Sequence, residues 1–185
     1  HLLVDNALGL YIVADGMGGH LAGEIASQTA TQTAASVIRQ SLSEIDRVRA
    51  GEVKPETLTR LCEGAVEKAS RDVYKLASTD PRYSGMGCTL TLLLTVGGVG
   101  IVAHVGDTRV YLLRGEELHQ LSQDHTIAAE LMRAGTLAPE DAASSPYAHV
   151  LSRAVGLHEA VQVDTLALDV VPGDRFLLCS DGCSN

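Results

Sequence analysis

The sequence predicts an α+β protein in which strands and helices cluster separately along the chain. Two apolar stripes with helical spacing lie in the first half, and most of the segments typical of buried strands follow from residue 87 onward. This order disfavours the regular strand-helix alternation of a parallel sheet. The chain has 185 residues, of which 45% are hydrophobic and 20% charged, so it is long enough for one domain with a substantial core.

Two helices are predicted in the first half, after a first strand at Leu10–Ala14. One carries apolar positions every four residues from Ala22 to Ile38, and its mostly small side chains would allow another surface to approach closely. The other begins near Pro55, a residue that a helix tolerates in its first turn, and its apolar stripe ends at Leu76. We expect the charged segment 46–54 to be the loop between them.

The span from Tyr83 to Val105 contains no charged residue, but glycines interrupt it. The Gly97-Gly98 pair between two apolar runs indicates a hairpin of buried strands, at Cys88–Val96 and Val99–Val105, rather than a membrane helix. The remaining predicted elements are strands at Arg109–Leu113, Leu118–Leu121, Val161–Leu168 and Arg175–Cys179, and a short helix that contains Ile127, Leu131 and Ala134, is capped by Asp124 and ends near Gly135.

The composition narrows the classes of partner. Lys and Arg number 14 and Asp and Glu 23, which gives a formal net charge of −9, and such an acidic surplus disfavours nucleic acid or an anionic membrane as the main partner. The absence of Trp and the single Phe leave little material for base stacking. Four cysteines without a CxxC pair suggest neither a zinc finger nor a disulfide framework, so we expect reduced thiols and a cytoplasmic protein, with no recognisable signal peptide.

Three aspartates each follow an apolar strand and adjoin a glycine: Asp15, Asp107 and Asp181. Any one such pair could simply mark a turn. If all three met at one sheet edge, their repulsion would be costly unless a divalent cation, which prefers oxygen ligands, offset it. The glycine-rich loop after Asp15 matches neither nucleotide template, because Leu21 stands where the dinucleotide motif needs Gly and the Walker Gly-Lys pair is missing.

Five strings, in a fixed order that covers nearly the whole chain, resemble the metal-dependent protein phosphatases of the PPM family, or protein phosphatase type two C, in its bacterial form. They are VADGMGGHLAGEIAS (Val13–Ser27), GCTLTLLL (Gly87–Leu94), AHVGDTRVYLLRGEELHQLSQDHT (Ala103–Thr126), LSRAVG (Leu151–Gly156) and GDRFLLCSDG (Gly173–Gly182).

The resemblance implies a four-layer α-β-β-α sandwich, in which two stacked antiparallel β-sheets are flanked by paired α-helices. It also implies two Mn²⁺ or Mg²⁺ ions in a cleft at one end. By match to the family's motifs, Asp15 would bridge the two ions, the Gly16 carbonyl would bind one of them and Asp181 the other. Asp107 lies where bacterial members bind a third ion.

The implied reaction is hydrolysis of phosphoserine and phosphothreonine in proteins by a metal-activated water, so the expected partners are phosphorylated proteins, including substrates of a Ser/Thr kinase. The leaving alkoxide needs a proton. Some members of the family supply it from a His where this chain has Met17, so His20 or a metal-bound water becomes the candidate acid. The resemblance also implies a mobile flap at 123–149. We expect a monomer, and we assign no residue to substrate binding.

Three further residues belong to the family-like strings, and none of them is given a catalytic role. We expect Thr108 and Arg109 to shape the turn that carries Asp107. His125, in the DHT string, is assigned no role.

The chain departs from the family pattern at both ends. It begins after the family's N-terminal strand, whose Arg clamps phosphate and whose NED string binds metal, and it stops before the DN motif that completes the first metal site. Residues 1–185 are therefore predicted to be a single phosphatase catalytic domain that lacks the N-terminal strand and the C-terminal strand and helix. The alternative is a non-catalytic, phosphatase-like binding or regulatory module, because parts of the metal site are absent from this chain.

Overall fold

The computed structural model describes residues 1–142 and 144–184, and this part of the chain is a mixed α+β structure with antiparallel sheets. The strands are β1 (Leu2–Asp5), β2 (Leu10–Val13), β3 (Gly16–Met17), β4 (Gly87–Cys88), β5 (Leu90–Val96), β6 (Val99–Val105), β7 (Arg109–Arg114), β8 (Glu117–Gln120), β9 (Asp164–Asp169) and β10 (Arg175–Cys179). The helices are α1 (His20–Gln40), α2 (Leu42–Arg49), α3 (Glu56–Thr79), α4 (Ile127–Arg133), α5 (Pro139–Ala142) and α6 (Asp181–Ser184).

The strands form two principal sheets, and in both of them all pairings are antiparallel. The larger has the order β1-β2-β5-β6-β9, and the smaller has the order β10-β7-β8. The predicted hairpin between β5 and β6 is confirmed, with Gly97 and Gly98 at φ 57° and 86° in its turn. A third, two-stranded pairing joins β3 to β4 and is important for the site described below.

Helices α1 and α3 share the main core with one face of the larger sheet. The fully buried stripe of α1, which includes Ala26, Ala30 and Ala34, lies in the same cluster as Leu92 of β5 and Ile101 of β6. On the other face of that sheet, the core is formed by a second cluster, which contains Leu93 and Val102 of the larger sheet and Val110 of β7. Alternate residues of β5 and β6 therefore serve two separate cores, as the period of a strand requires.

One element was missed, and two expectations about elements were wrong. Strand β1 was not predicted, although it pairs along its whole length with β2. The segment 46–54 is helical up to Arg49, because Ile45 and Val48, three residues apart, bury one face of the short helix α2. The cap of α4 is Thr126, whose Oγ1 accepts the N–H of Ala129 at 3.1 Å, and not Asp124.

Other expectations agree with the structure. Within the described residues, no helix is long and apolar enough to cross a membrane, and the uncharged span ending at Val105 consists mainly of strands. Three of the four cysteines, Cys62, Cys88 and Cys179, are buried, and Cys183 is exposed.

A close backbone contact fixes the first turn of α1 against the loop after β2. A Cβ placed on Gly16 would lie 1.9 Å from the carbonyl oxygen of Gly23, and one placed on Gly23 would lie 2.8 Å from the carbonyl carbon of Gly16. Real Cβ atoms do not approach backbone this closely, so both positions require glycine. Gly23 is the residue that lets α1 contact the strand-end loop.

We predict opposite effects of alanine at two helical glycines. Gly64→Ala should raise the free energy of unfolding by about 0.5–1 kcal/mol, since Gly64 in α3 has open space around it and alanine is the better helix former. Gly23→Ala should lower it, because the new methyl group collides with Gly16. Urea unfolding of both variants measures the difference, and equal stabilisation by both would contradict the contact.

Candidate metal centre

Asp15 is held by its own backbone to the start of β5. Its N–H donates to Oγ1 of Thr89 at 2.9 Å, and its carbonyl accepts the N–H of Thr89 at 2.8 Å. The next residues, Gly16 and Met17, pair with β4. The position of the Asp15 residue is thus set by the antiparallel pairing of two distant chain segments, since Asp15 and Thr89 are 74 residues apart in the sequence.

Thr89 also brings the second aspartate close to the first. Gly106, the residue before Asp107, has φ 111°, and a Cβ there would lie 2.5 Å from the side chain of Thr89. Thr89 therefore contacts the loops of both Asp15 and Asp107, and it is 97% buried, with a relative exposure of 3%. Sequence reasoning missed Thr89; its signal was the alternation of threonine and leucine at the start of a buried strand.

Asp181 is the third strand-end aspartate, and strand pairing brings it to the same place. β10 pairs with β7 so that Cys179 lies opposite Arg109. Asp181 follows two residues after Cys179, while Asp107 precedes Arg109 by two. The register thus places both carboxylates at the same end of the smaller sheet.

The pKa values of Asp15 and Asp107 are affected by the neighbouring carboxylates. The pKa of Asp15 is raised, first by burial and then by the negative charge of Asp181, with which its protonated form shares a hydrogen bond. Burial also raises the pKa of Asp107, followed by the charges of Asp181, Asp124 and Asp15. The carboxylate of Asp181 is therefore close enough to oppose the ionisation of both Asp15 and Asp107.

A cavity of about 550 Å³ adjoins this group, with both Asp107 and Asp181 in its wall. The wall also contains residues of the segment 123–149, among them His149, whose Nδ1 is 3.9 Å from Oδ2 of Asp181. Arg109 and Asp124 form a bidentate ion pair in the wall, with the shorter contact at 2.6 Å. The segment expected to form a flap thus borders the cavity.

The donor chemistry fits a hard divalent cation, because all three acidic groups supply carboxylate oxygens and the carbonyl of Gly16 can supply another. The fit is partial. Among residues 1–142 and 144–184, no group of three or more His, Cys, Asp and Glu side chains is arranged to hold a metal ion by itself. These residues therefore fit as part of a ligand set and not as a closed cage.

The candidate acid and its neighbour lie in the loop between β2 and α1. His20 is the first residue of α1, and its side chain lies outside the described part of the structure. Met17 is half-buried, with its Cε 2.8 Å from the point where a Cβ on Gly87 would sit, so its thioether packs on β4. Between Met17 and His20, Gly18 and Gly19 have φ 108° and 89°, and they turn the chain into α1.

Comparison with known proteins identifies the family. The family profile described as "Protein phosphatase 2C" matches residues 2–185. The serine/threonine phosphatase stp of Listeria innocua is 34% identical over 176 residues, which are 95% of this chain and 67% of that protein, so the chain spans about two thirds of this relative. The crystal structure of the Mycobacterium tuberculosis serine/threonine phosphatase PstP/Ppp superposes with a TM-score of 0.84 and 34% identity, over 100% of this chain and 72% of that one.

A second structure is informative about metals. The catalytic domain of serine threonine protein phosphatase PstP, solved in complex with two manganese ions, superposes with a TM-score of 0.80 at 33% identity, over 100% of this chain and 71% of that one. The match of the family profile to nearly every residue, together with these likenesses in sequence and structure, shows that the chain belongs to the protein phosphatase 2C family, also known as the PPM family.

Proposed function

We propose that this chain carries the catalytic centre of a protein serine/threonine phosphatase that depends on Mn²⁺ or Mg²⁺. The observation that carries the proposal is the convergence of Asp15, Asp107 and Asp181 beside one cavity, where each of the first two has a raised pKa. Support comes from the relatives, which are named serine/threonine phosphatases, and from the one solved with two manganese ions.

In this proposal Asp15, the Gly16 carbonyl and Asp181 would together hold two divalent ions, with Asp15 shared by both, and Asp107 would contribute to a third, weaker position. When bound, the ions would supply Lewis-acid activation of water and charge stabilisation at phosphorus. The protein's own contribution is positioning: the Asp15 and Asp107 loops are fixed through Thr89, so the carboxylates need little rearrangement when a cation binds.

The leaving serine or threonine alkoxide must be protonated, and Met17 has no proton to give. We propose His20 for this task, because it follows directly on the glycine turn that begins at the metal-binding loop.

His20→Ala should then lower kcat without weakening Mn²⁺ binding. An unchanged kcat would assign the proton to water.

The same proposal includes the domain architecture, the substrates, the cellular location and the oligomeric state. Residues 1–185 would form a single catalytic domain with the four-layer α-β-β-α arrangement, whose support is that the larger sheet has a helix core on one face and packs against β7 on the other. The substrates would be phosphorylated proteins in the cytoplasm, where four thiols remain reduced, and the protein would act as a monomer.

The competing function is a non-catalytic module that binds phosphoproteins. It is favoured by one observation, that the described acidic side chains do not form a complete metal cage. The two functions differ in turnover and not in fold, so an activity measurement separates them.

We predict Mn²⁺-dependent hydrolysis of p-nitrophenyl phosphate and of a phosphothreonine peptide by the protein expressed from its complete reading frame. Asp15→Asn and Asp181→Asn should each reduce kcat/KM by about 100-fold or more, because each removes a proposed metal ligand. Asp46→Asn is the matched control, since Asp46 lies on the surface of α2 and should leave the rate unchanged. Phosphopeptide binding without any Mn²⁺-dependent turnover would favour the binding module instead.

We also predict that Asp107→Asn stabilises the metal-free protein. Because folding raises the pKa of Asp107, its contribution to stability is present at acid pH and is lost as the pH rises through the raised value. In EDTA near pH 7, the variant should therefore melt about 2–4 °C higher, and its advantage should shrink toward pH 4. With Mn²⁺ the order should reverse. A lower Tm of the variant in EDTA would contradict the repulsion.

A further inference from the structure

Two buried histidines lie beneath the Asp107 loop and take no part in the proposed chemistry. His104, near the end of β6, is 1% exposed, and the side chain of His125 is fully buried. Their ring centroids are 4.7 Å apart, with the planes tilted by 37°. Buried imidazoles are costly unless both ring nitrogens are satisfied, so their hydrogen bonds define what they do.

The hydrogen bonds of His104 have a defined direction. Its Nε2 lies 3.0 Å from the carbonyl oxygen of Gln123, which can only accept, so Nε2 carries a proton. Burial lowers the pKa of His104 to about 4, so the ring is neutral and Nδ1 accepts the hydroxyl proton of Thr91 at 2.9 Å. Because Thr91 donates its hydroxyl proton to His104, its Oγ1 accepts the hydroxyl proton of Thr108, with the two oxygens 2.6 Å apart. This chain anchors the residue that follows Asp107.

The hydrogen bonds of His125 form a second series, on the other side of Asp107. Its Nδ1 accepts the N–H of Gly106 at 3.0 Å, so the proton of the neutral ring is on Nε2, which donates to Oδ2 of Asp164 at 3.0 Å. Arg153 donates to the other oxygen of Asp164 at 2.7 Å. The backbone N–H of His125 also donates to the carbonyl of Gly106 at 2.8 Å. This second chain anchors the residue that precedes Asp107.

We propose that Thr91, His104 and His125 are positioning residues that hold the Asp107 loop from both sides and join it to segment 123–126, where the proposed flap begins. The proposal rests on the proposed phosphatase function. These two chains add to the packing of Gly106, at φ 111°, against Thr89, so hydrogen bonds anchor the residue on each side of Asp107. Both rings are neutral, with the proton on Nε2.

The first test uses threonine variants of the full-length protein. Thr91→Val keeps the shape but removes the hydroxyl that links His104 to Thr108, whereas Thr91→Ser keeps the hydroxyl. Thr31→Val is the matched control, because Thr31 in α1 is also fully buried and, among the described residues, its hydroxyl has no hydrogen-bond partner.

We expect Thr91→Val to weaken Mn²⁺ binding, measured by titration calorimetry, by about 10-fold or more. In EDTA, amide hydrogen exchange of residues 106–109 should become faster by a similar factor, while α1 and α3 stay protected. Thr91→Ser and Thr31→Val should match the unmodified protein in both measurements. Activity of Thr91→Val should recover at saturating Mn²⁺, since the residue positions a ligand and does not touch substrate.

The second test separates the two contacts of His125. In His125→Asn the amide oxygen can replace Nδ1 as the acceptor for Gly106, while the bond to Asp164 is lost. In His125→Gln the longer amide reaches Asp164, and the acceptor for Gly106 is lost. We expect faster exchange at residues 106–109 and weaker Mn²⁺ binding in the glutamine variant than in the asparagine variant. Nitrogen NMR of the unmodified protein should show both His104 and His125 as neutral Nε2–H tautomers.

The proposal is overturned if Thr91→Val and His125→Gln leave loop exchange and Mn²⁺ affinity unchanged, if Thr31→Val causes the same losses, or if either ring carries its proton on Nδ1. The tautomers and the loop exchange are measured without metal or substrate. A protein that proves to have no phosphatase activity but shows the expected exchange and tautomers would overturn the proposed function and leave the positioning network supported.

Discussion

Three like charges assembled at the ends of strands are the constraint on which the organisation of this fold depends. Asp15, Asp107 and Asp181 come from two different sheets, and the raised pKa values of Asp15 and Asp107 show that their ionisation is opposed where they meet. Such an arrangement persists only if the backbone that carries it is held elsewhere. Three of the contacts that hold it are the Thr89 bonds to Asp15, the packing of Thr89 on Gly106, and the pairing of β10 with β7.

The protein thus separates the groups that bind a cation from the groups that provide rigidity. Asp107 and Asp181 line a cavity, and all three aspartates are partly exposed, whereas the supporting threonines and histidines are almost fully buried. A buried hydroxyl or neutral imidazole can be satisfied completely by one or two hydrogen bonds, so it stabilises a loop without adding charge to a cluster that already carries too much. This division explains why uncharged side chains, rather than lysine or arginine, fix the loop of Asp107 directly.

The sequence was a good guide to features that depend on local pattern. The apolar stripes of α1 and α3 and the glycine hairpin between β5 and β6 follow from spacing and turn chemistry, and the structure confirms them. The three aspartates were selected by the same kind of pattern, because each follows an apolar strand and adjoins a glycine. It was a poor guide to features that depend on contacts between distant segments. Thr89 and Gly23 matter because of what they touch across the fold, and Asp124 was mistaken for a helix cap because its pairing with Arg109 is a tertiary contact.

The same long-range contacts attach both ends of segment 123–149 to the rest of the fold. Its beginning is tied to the Asp107 loop by the backbone and ring of His125, and Thr126 forms a β-bridge with Leu151, just beyond the far end of the segment. Because the N–H of Ser152 donates to the carbonyl of His125 at 2.9 Å, both roots of the segment are held together. A movement of the proposed flap that keeps these contacts would therefore leave the Asp107 loop in place, while the cavity-lining residues of α4 and His149 change position.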